Sequence, residues 1–354
     1  METASIAKGI FPARLRNARK MRCFSFRELS EATGNSISPT ALEKYEKGKM
    51  FPSSNVVIKL TRALNVNIDD FFRPFTVEID LNNVKYRKEA SLGKKKQAAI
   101  NNYAANELEK YLEVENMCGE SCCFSANFHD VEVRTENDAR SVAARFRECF
   151  NLGKSPISKP IELLESSGVK IIEIKVEKKF DADSFTVDGM FVIILNKNLS
   201  EERKRLTLFH EVGHKVMNFA DGVDEERLCH IFANEVLLPT DVFVQKIGKV
   251  RKDISLVELK DMQGQYGISV DAMMIKARQA GIISKKRYES FCKHKNAVKS
   301  FKDDVEKSIF PAEHCQRYER MVFKLFANEE ITASKCASLL GSTVTEVRDQ
   351  LNLV

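Results

Sequence analysis

Residues 199–218 read LSEERKRLTLFHEVGHKVMN, and the five at their centre, His210-Glu211-Val212-Gly213-His214, decide how the rest of the chain is to be read. The stretch has no proline, opens on Ser200 with Glu201 and Glu202 behind it, and repeats apolar residues at Leu206, Phe209, Val212, Gly213 and Val216. An N-cap, an acidic first turn and an apolar stripe predict a helix seated on a core by one face. Residues four apart share a helical face, so His210 and His214 can reach one Zn2+ at about 2.0–2.1 Å, with Glu211 beside them to take a proton from water. The pattern implies a zinc hydrolase.

A catalytic zinc site has three protein ligands and an open position. The next helical segment, Asp224 to Leu238, offers Glu225, Glu226 and Glu235. Glu225 falls on a stripe with Cys229, Phe232 and Val236, while Glu226 shares a face with His230, Ala233 and Leu237. Both faces carry apolar residues, so periodicity leaves the choice open.

Upstream, the chain reads as α+β from Asn137: a helix to Phe150, another from Lys159 to Ser166, then β-rich Val169 to Val176 and Val187 to Asn196. The segment Met190 to Asn196, with Met190, Val192 and Ile194 in alternation, is expected to be an edge strand that pairs with a substrate backbone as an added strand.

The first part of the chain differs in kind. Turn signals divide residues 12–73 into five short helices: Pro12 to Met21, Ser25 to Thr33, Ser38 to Tyr45, Ser53 to Leu64 and Ile68 to Phe72. The second and third, joined through Gly34-Asn35, have the length and turn chemistry of a helix-turn-helix. Ser38 would cap the third helix and Pro39 suits its first turn. Its outward positions are Pro39, Thr40, Glu43 and Lys44, with Ala41, Leu42 and Tyr45 inward. Thr40 and Lys44 are placed for bases or phosphates, and Glu43 for a cytosine amine. Arg27 and Ser38 complete the expected DNA-binding set. Arg14, Arg16, Arg19, Lys20, Arg22 and Arg27 all precede Glu28, and a second basic stretch runs through Lys85, Arg87, Lys88 and Lys94 to Lys96. Together with the motif, these runs point to phosphate as a partner.

A chain of 354 residues with 43% hydrophobic content has room for two or three domains and is not of the disordered class. The longest apolar stretch, around Met190 to Leu195, is too short to span a bilayer, and Met1 to Arg14 has no signal-like apolar run, so a cytoplasmic protein without a membrane partner is expected. Nine cysteines then read as reduced thiols, with Cys118, Cys122 and Cys123 close enough to raise a second metal site. Thr76 to Val84 reads as a strand pair or extended linker. Gly93 to Met117 reads as a long helix with Ile100, Ala104, Leu108, Tyr111 and Leu112 on one side. Val250 to Asn296 and Phe310 to Leu353 are helical by pattern. The tail "ITASKCASLLGSTVTEVRDQL" (331–351) has a helix-turn-helix look and is expected to serve packing or dimerisation, which leaves a homodimer open.

The segments "RLRNARK" (14–20), "SFRELSEATG" (25–34), "LEKYEKGKMFPS" (42–53) and "LTRALNV" (60–66) resemble the Xre/Cro-type repressor family. That resemblance implies a five-helix domain binding double-stranded DNA with Ser38 to Tyr45 as its recognition helix. Phe26 stands where many members carry a DNA-contacting Gln.

The second half is similar to the ImmA/IrrE metallopeptidases, in the form fused to such a domain. The likeness lies in "ARFRECFNLGKSPISKPIELLESSGVKI" (144–171), "DGMFVIILNKNLSEERKRLTLFHEVGH" (188–214), "ERLCHIFANEVLLP" (226–239) and "YGISVDAMMIKARQAGII" (266–283). It implies His210, His214 and Glu226 as zinc ligands and Glu211 as catalytic base. His230 replaces an Asn or Asp expected to orient a ligating histidine, a task that its imidazole can take over through one nitrogen. Phe209 replaces a small residue just before His210 and is expected to crowd the site.

The expected fold is multidomain. An all-α helix-turn-helix domain (10–75) is followed by a linker with a long helix (76–135), an α+β zincin-like metallopeptidase domain (136–250) and a helical C-terminal region (251–354). The resemblance implies a zinc endopeptidase that regulates transcription by cutting a repressor protein. A further reading is a latent enzyme, its site masked until a signal such as single-stranded DNA arrives as activator. The alternative is a DNA-binding regulator, phage-type or antitoxin-like, whose peptidase fold is sensory or latent.

Overall fold

The computed structural model describes residues 2–75, 93–176 and 180–351. The expected strand pair or linker at Thr76 to Val84, and the basic residues Lys85, Arg87 and Lys88, lie outside the described residues. Two compact units divide the chain, one formed by Met1–Cys122 with Gln316–Val354 and the other by Cys123–Cys315. The second is therefore an insertion in the sequence of the first.

The first unit begins with α1 (Glu2–Met21), which starts upstream of Pro12 and runs through it. α2 (Phe26–Ala32) is opened by a capping box, in which the Glu28 amide donates to Ser25 Oγ and the Ser25 amide to Glu28 Oε2. Gly34 and Asn35 then turn the chain with φ of 67° and 57°. α3 (Pro39–Glu46) starts on Ser38, whose hydroxyl accepts from the Ala41 amide at 3.2 Å. Such a cap satisfies a helix-end donor and contributes about 1 kcal/mol. α4 (Ser54–Leu64) and a 3-10 turn (Ile68–Phe71) complete the domain. Phe11, Leu15, Leu29, Leu42, Leu60, Leu64 and Phe71 are buried at its centre.

α5 (Lys94–Cys118) buries Ile100, Ala104, Leu108, Tyr111 and Leu112 on one side. Its carboxylates take cations from two directions. Glu109 receives both terminal nitrogens of Arg14, at 2.7 and 2.6 Å, and lies 3.3 Å from Arg73. Glu113 accepts from Lys335, and Glu115 from Arg317, each at 2.6 Å. Arg14, Arg73 and Glu109 are all buried, so removing Glu109 would take the carboxylate from two buried guanidinium groups at a cost of about 3–5 kcal/mol.

In the second unit, the helices α6 (Glu136–Cys149) and α7 (Pro160–Ser166) precede a three-stranded sheet of β2 (Lys170–Ile174), β3 (Ala182–Val187) and β4 (Met190–Asn196), numbered after a two-residue strand β1 (Glu132–Val133). The order is β2-β4-β3, with β2 parallel and β3 antiparallel to β4. This corrects the expectation for Met190, Val192 and Ile194. β4 is the central strand, hydrogen-bonded on both sides, and its backbone has no row left for a substrate. Val192 and Ile194 are fully buried. β3 and β2 are the two edges, each pairing with β4 alone among the described residues, and β3 is the edge that carries Ser184.

α8 (Glu201–Val216) crosses this sheet, and Phe191, Ile193 and Leu195 share its core with Leu208, Phe209 and Val212. After it come β5 (Asn218–Phe219), parallel to β1, and α9 (Glu225–Leu237), which packs closely on α8. Helices α10 (Thr240–Ile247), α11 (Leu256–Tyr266), α12 (Val270–Gln279), α13 (Lys285–Ala297) and α14 (Lys299–Glu306) follow.

The N-terminal half of α8 is fixed by two devices. Arg205 is buried and donates to the carbonyls of Ile157, Ser158, Tyr266 and Gly267; burial lowers its pKa to about 10, which leaves it charged at neutral pH. Gly267 is required here, since its φ is +60° and a Cβ would lie 2.3 Å from Arg205 Nε. The acidic first turn does more than oppose the helix dipole. Glu201 accepts from the Glu313 amide at 3.2 Å and Glu202 from the Ile309 amide at 3.3 Å, pinning the irregular segment that ends this unit.

The chain returns to the first unit with α15 (Arg317–Ala327), α16 (Ala333–Leu340) and α17 (Val344–Leu351). Gly341, with φ of 64°, turns α16 into α17. Their buried residues, among them Met321, Val322, Leu325, Cys336 and Val347, close over Tyr111 and Val114 of α5. An all-α helix-turn-helix domain, an α+β centre with small sheets and a helical C-terminal region thus describe the architecture.

Candidate metal centre and nucleic-acid face

His210 and His214 stand one turn apart on α8, both nearly buried, with ring centroids 4.9 Å apart. Glu226 comes to them from the first turn of α9. Its Oε2 lies 3.3 Å from His210 Nε2 and its Oε1 3.4 Å from His214 Nε2. Donor atoms about 2.0–2.1 Å from one tetrahedral ion are separated from each other by about 3.3–3.4 Å. Here each imidazole nitrogen faces a different oxygen of the one carboxylate and the three donor atoms lie within 4.8 Å of one another, a set able to close on one metal ion such as Zn2+. Among the described residues this is the one grouping of three such side chains whose donor atoms lie within 4.8 Å of one another. The Cys118, Cys122 and Cys123 stretch forms none.

Glu225 and Glu235, the other two carboxylates of α9, are placed differently. Glu225 Oε2 is 3.9 Å from His214 Nδ1, on the other side of that ring from Glu226. Glu235 accepts from the amide and hydroxyl of Thr240 and from Lys276 at the far end of the helix.

What lets Glu226 reach both imidazoles is the close approach of α8 and α9. Gly213 sits at the crossing, where a Cβ would meet Phe232 at 3.0 Å, Met217 at 3.3 Å and the Cys229 sulfur at 3.4 Å. The glycine within His-Glu-Val-Gly-His therefore sits at a tight contact, where a side chain would make Phe232 and Met217 shift, and its place in an apolar stripe alone does not reveal this.

Glu211, beside His210, accepts a hydrogen bond from the Ser184 hydroxyl at 2.6 Å. Ser184 is buried on the edge strand β3, opposite Ile193 of β4. No sequence signal had singled it out. One turn after Glu226, His230 is exposed, with its ring centroid 4.4 Å from that of His210. Phe209, expected to crowd this site, is instead buried in the core, where its ring meets Phe146 edge-on at 5.9 Å. The helical period turns it away from its neighbour His210.

Residues 164–277 match the family model described as the IrrE N-terminal-like domain, Peptidase_M78, and residues 13–73 match that of a helix-turn-helix domain. The chain joins an Xre-type helix-turn-helix domain to an IrrE-like domain. No curated protein matches it. The IrrE-like match runs from α7 into α12 and contains the sheet and the metallopeptidase-like grouping on α8 and α9.

On the helix-turn-helix domain, Arg27, Ser38, Thr40 and Lys44 are exposed around α2 and α3. Ser38 Oγ is engaged as the cap of α3, and half-buried Glu43 pairs with Lys47 one turn on. Two members of the basic run are turned inward. Arg14 is held by Glu109, and Arg19 by Glu46 at 2.6 and 2.9 Å. The Arg19 guanidinium also covers the Phe26 ring, 4.2 Å from its centroid. Phe26 thus takes part in packing at the position where the Xre/Cro resemblance implies a DNA-contacting Gln. Lys20, Arg22 and Arg27 remain exposed. No helix among the described residues is long and apolar enough to cross a membrane.

Proposed function

We propose that the chain is a zinc-dependent endopeptidase that regulates transcription by cutting a repressor protein, while its own helix-turn-helix domain engages double-stranded DNA. One observation supports the enzymatic part: the Glu226 carboxylate stands between the two imidazoles, one oxygen 3.3 Å from His210 Nε2 and the other 3.4 Å from His214 Nε2, in a set of donors able to close on one Zn2+. His210, His214 and Glu226 would hold the ion. When bound, Zn2+ would polarise a scissile carbonyl and make water a better nucleophile near neutral pH.

The remaining work falls to the chain. Glu211 takes a proton from the attacking water as the new C–O bond forms at the carbonyl carbon, and then delivers it to the amine nitrogen, so that the C–N bond of the resulting tetrahedral species breaks and the amine departs. Ser184 holds one oxygen of that carboxylate from β3. The edge of β3 offers its backbone groups to an extended substrate segment, which would lie alongside α8 as an added strand. On the other unit, Arg27, Thr40 and Lys44 supply an exposed face for phosphates and base edges.

The test uses the purified full chain with Zn2+ and, as candidate substrate, any small helix-turn-helix repressor found encoded beside it. A defined cut, abolished by a chelator and by Glu211→Gln, is the expected result. Equal cleavage by Glu211→Gln overturns the mechanism. Stoichiometric zinc with tight operator binding and no cut favours a regulator whose peptidase-like domain is sensory.

A further inference from the structure

His230 is the feature of the site that this reading leaves without a task. It lies on α9 one turn beyond Glu226, and its ring stands nearer to His210, at 4.4 Å between centroids, than the ring of His214 does at 4.9 Å. Three imidazoles and a carboxylate therefore crowd one spot. Yet His230 is outside the grouping whose donor atoms converge, and it is exposed where both other imidazoles are nearly buried.

The two carboxylates of the site are held by different elements. Glu211 is tied to the edge strand β3, whereas Glu226 and His230 belong to α9. A substrate lying along β3 would present its scissile carbon to a water held by Glu211, with the carbonyl oxygen turned away from that base. A group on α9 with an N–H and access to solvent can meet that oxygen. An Asn or Asp at position 230 is too short to extend as far past the helix surface as an imidazole.

We infer that His230 is a further catalytic residue, donating a ring N–H to the scissile carbonyl oxygen and to the tetrahedral oxyanion it becomes. The inference rests on the metallopeptidase reading of the site. A neutral imidazole suffices, because either tautomer carries one N–H. Such a donor counts most where charge develops on oxygen, and it acts on turnover rather than on metal uptake.

The experiment uses the full chain loaded with Co2+, with methylphosphonate as a small tetrahedral oxyanion. Wild type, His230→Phe and His230→Ala are compared for Co2+ affinity and for the visible-spectrum change on adding methylphosphonate. Phe keeps a ring against His210 but has no N–H; Ala removes both. The expected result is Co2+ affinity within about twofold of wild type in both variants, and methylphosphonate affinity lower by about tenfold in both. Unchanged methylphosphonate affinity overturns the inference. Weaker Co2+ binding in Ala but not in Phe would make His230 a positioning residue acting through ring packing, and weaker Co2+ binding in both would make it a metal ligand; either outcome overturns the inference as well. Failure of the wild type to bind Co2+ in a manner lost on His214→Ala overturns the metal reading itself, and this inference with it.

Discussion

The Ser184 hydroxyl donates a hydrogen bond of 2.6 Å to Glu211 Oε2, and so links the carboxylate inside the His-Glu-Val-Gly-His string to an edge strand of the sheet. A base that must meet a water and then an amine nitrogen gains from having one oxygen fixed, because misalignment is costly in proton transfer. Ser184→Ala is expected to lower kcat about tenfold with bound zinc unchanged, whereas Glu211→Gln lowers it by about 10²–10⁴. Turnover of the cleaved repressor and zinc content, measured on the same preparations, separate the two effects.

Glu226 and Glu225 are neighbours in sequence but not in role. Glu226→Ala removes the carboxylate between the two Nε2 atoms, and dialysed protein should then hold well under one zinc per chain. Glu225→Ala removes a group 3.9 Å from His214 Nδ1, and the protein should keep its zinc. A substantial loss of zinc from Glu225→Ala alone would reverse the assignment.

Periodicity could not make this choice for a physical reason. α9 is buried on most sides: Leu228, Cys229, Ile231, Phe232, Ala233, Val236 and Leu237 are all within the core, so neither glutamate marks a solvent face. The place of β4 was misread for a related reason. The run Phe191 to Leu195 is apolar without alternation, the mark of a strand covered on both faces and therefore central. Short-range signals fared better, since the caps Ser25 and Ser38 act on amides three residues away and bound α2 and α3 in the sequence. Arg14 looked like part of a phosphate-binding run because its partner, Glu109, lies far along the chain in α5. Ser184 was silent in the sequence, as its meaning depends on the pairing of β3 with β4.

Exposed cations on the helix-turn-helix domain give a prediction that separates them from the inward ones. Arg27→Ala and Lys44→Ala each remove one exposed positive charge near α3. If each meets a phosphate, the slope of log affinity against log salt for duplex DNA should fall by about 0.9 per substitution. Fluorescence anisotropy with a labelled duplex, over a range of NaCl concentrations, measures it. A slope that does not change in the double variant would remove both residues from the DNA contact.

The same domain should respond to acid through Glu28. The Ser25 amide, the Ser25 hydroxyl and then Lys95 of α5 stabilise its carboxylate, holding its pKa at about 2 against an ordinary 4.5. Because the folded value is the lower one, ionisation favours the folded state. That contribution is complete above pH 4.5 and is lost as pH falls through about 2, where the carboxylate is protonated in the folded chain too. Glu28 is exposed, so the effect is one of local capping rather than of burial, and salt should weaken only the part owed to Lys95. Glu28→Gln is therefore expected to melt at a lower temperature than wild type at pH 7, with the gap narrowing steadily between pH 4.5 and about 2. Thermal melts of both proteins across that range check it. A gap that holds constant down to the lowest pH would mean that the charge on Glu28 does not stabilise α2.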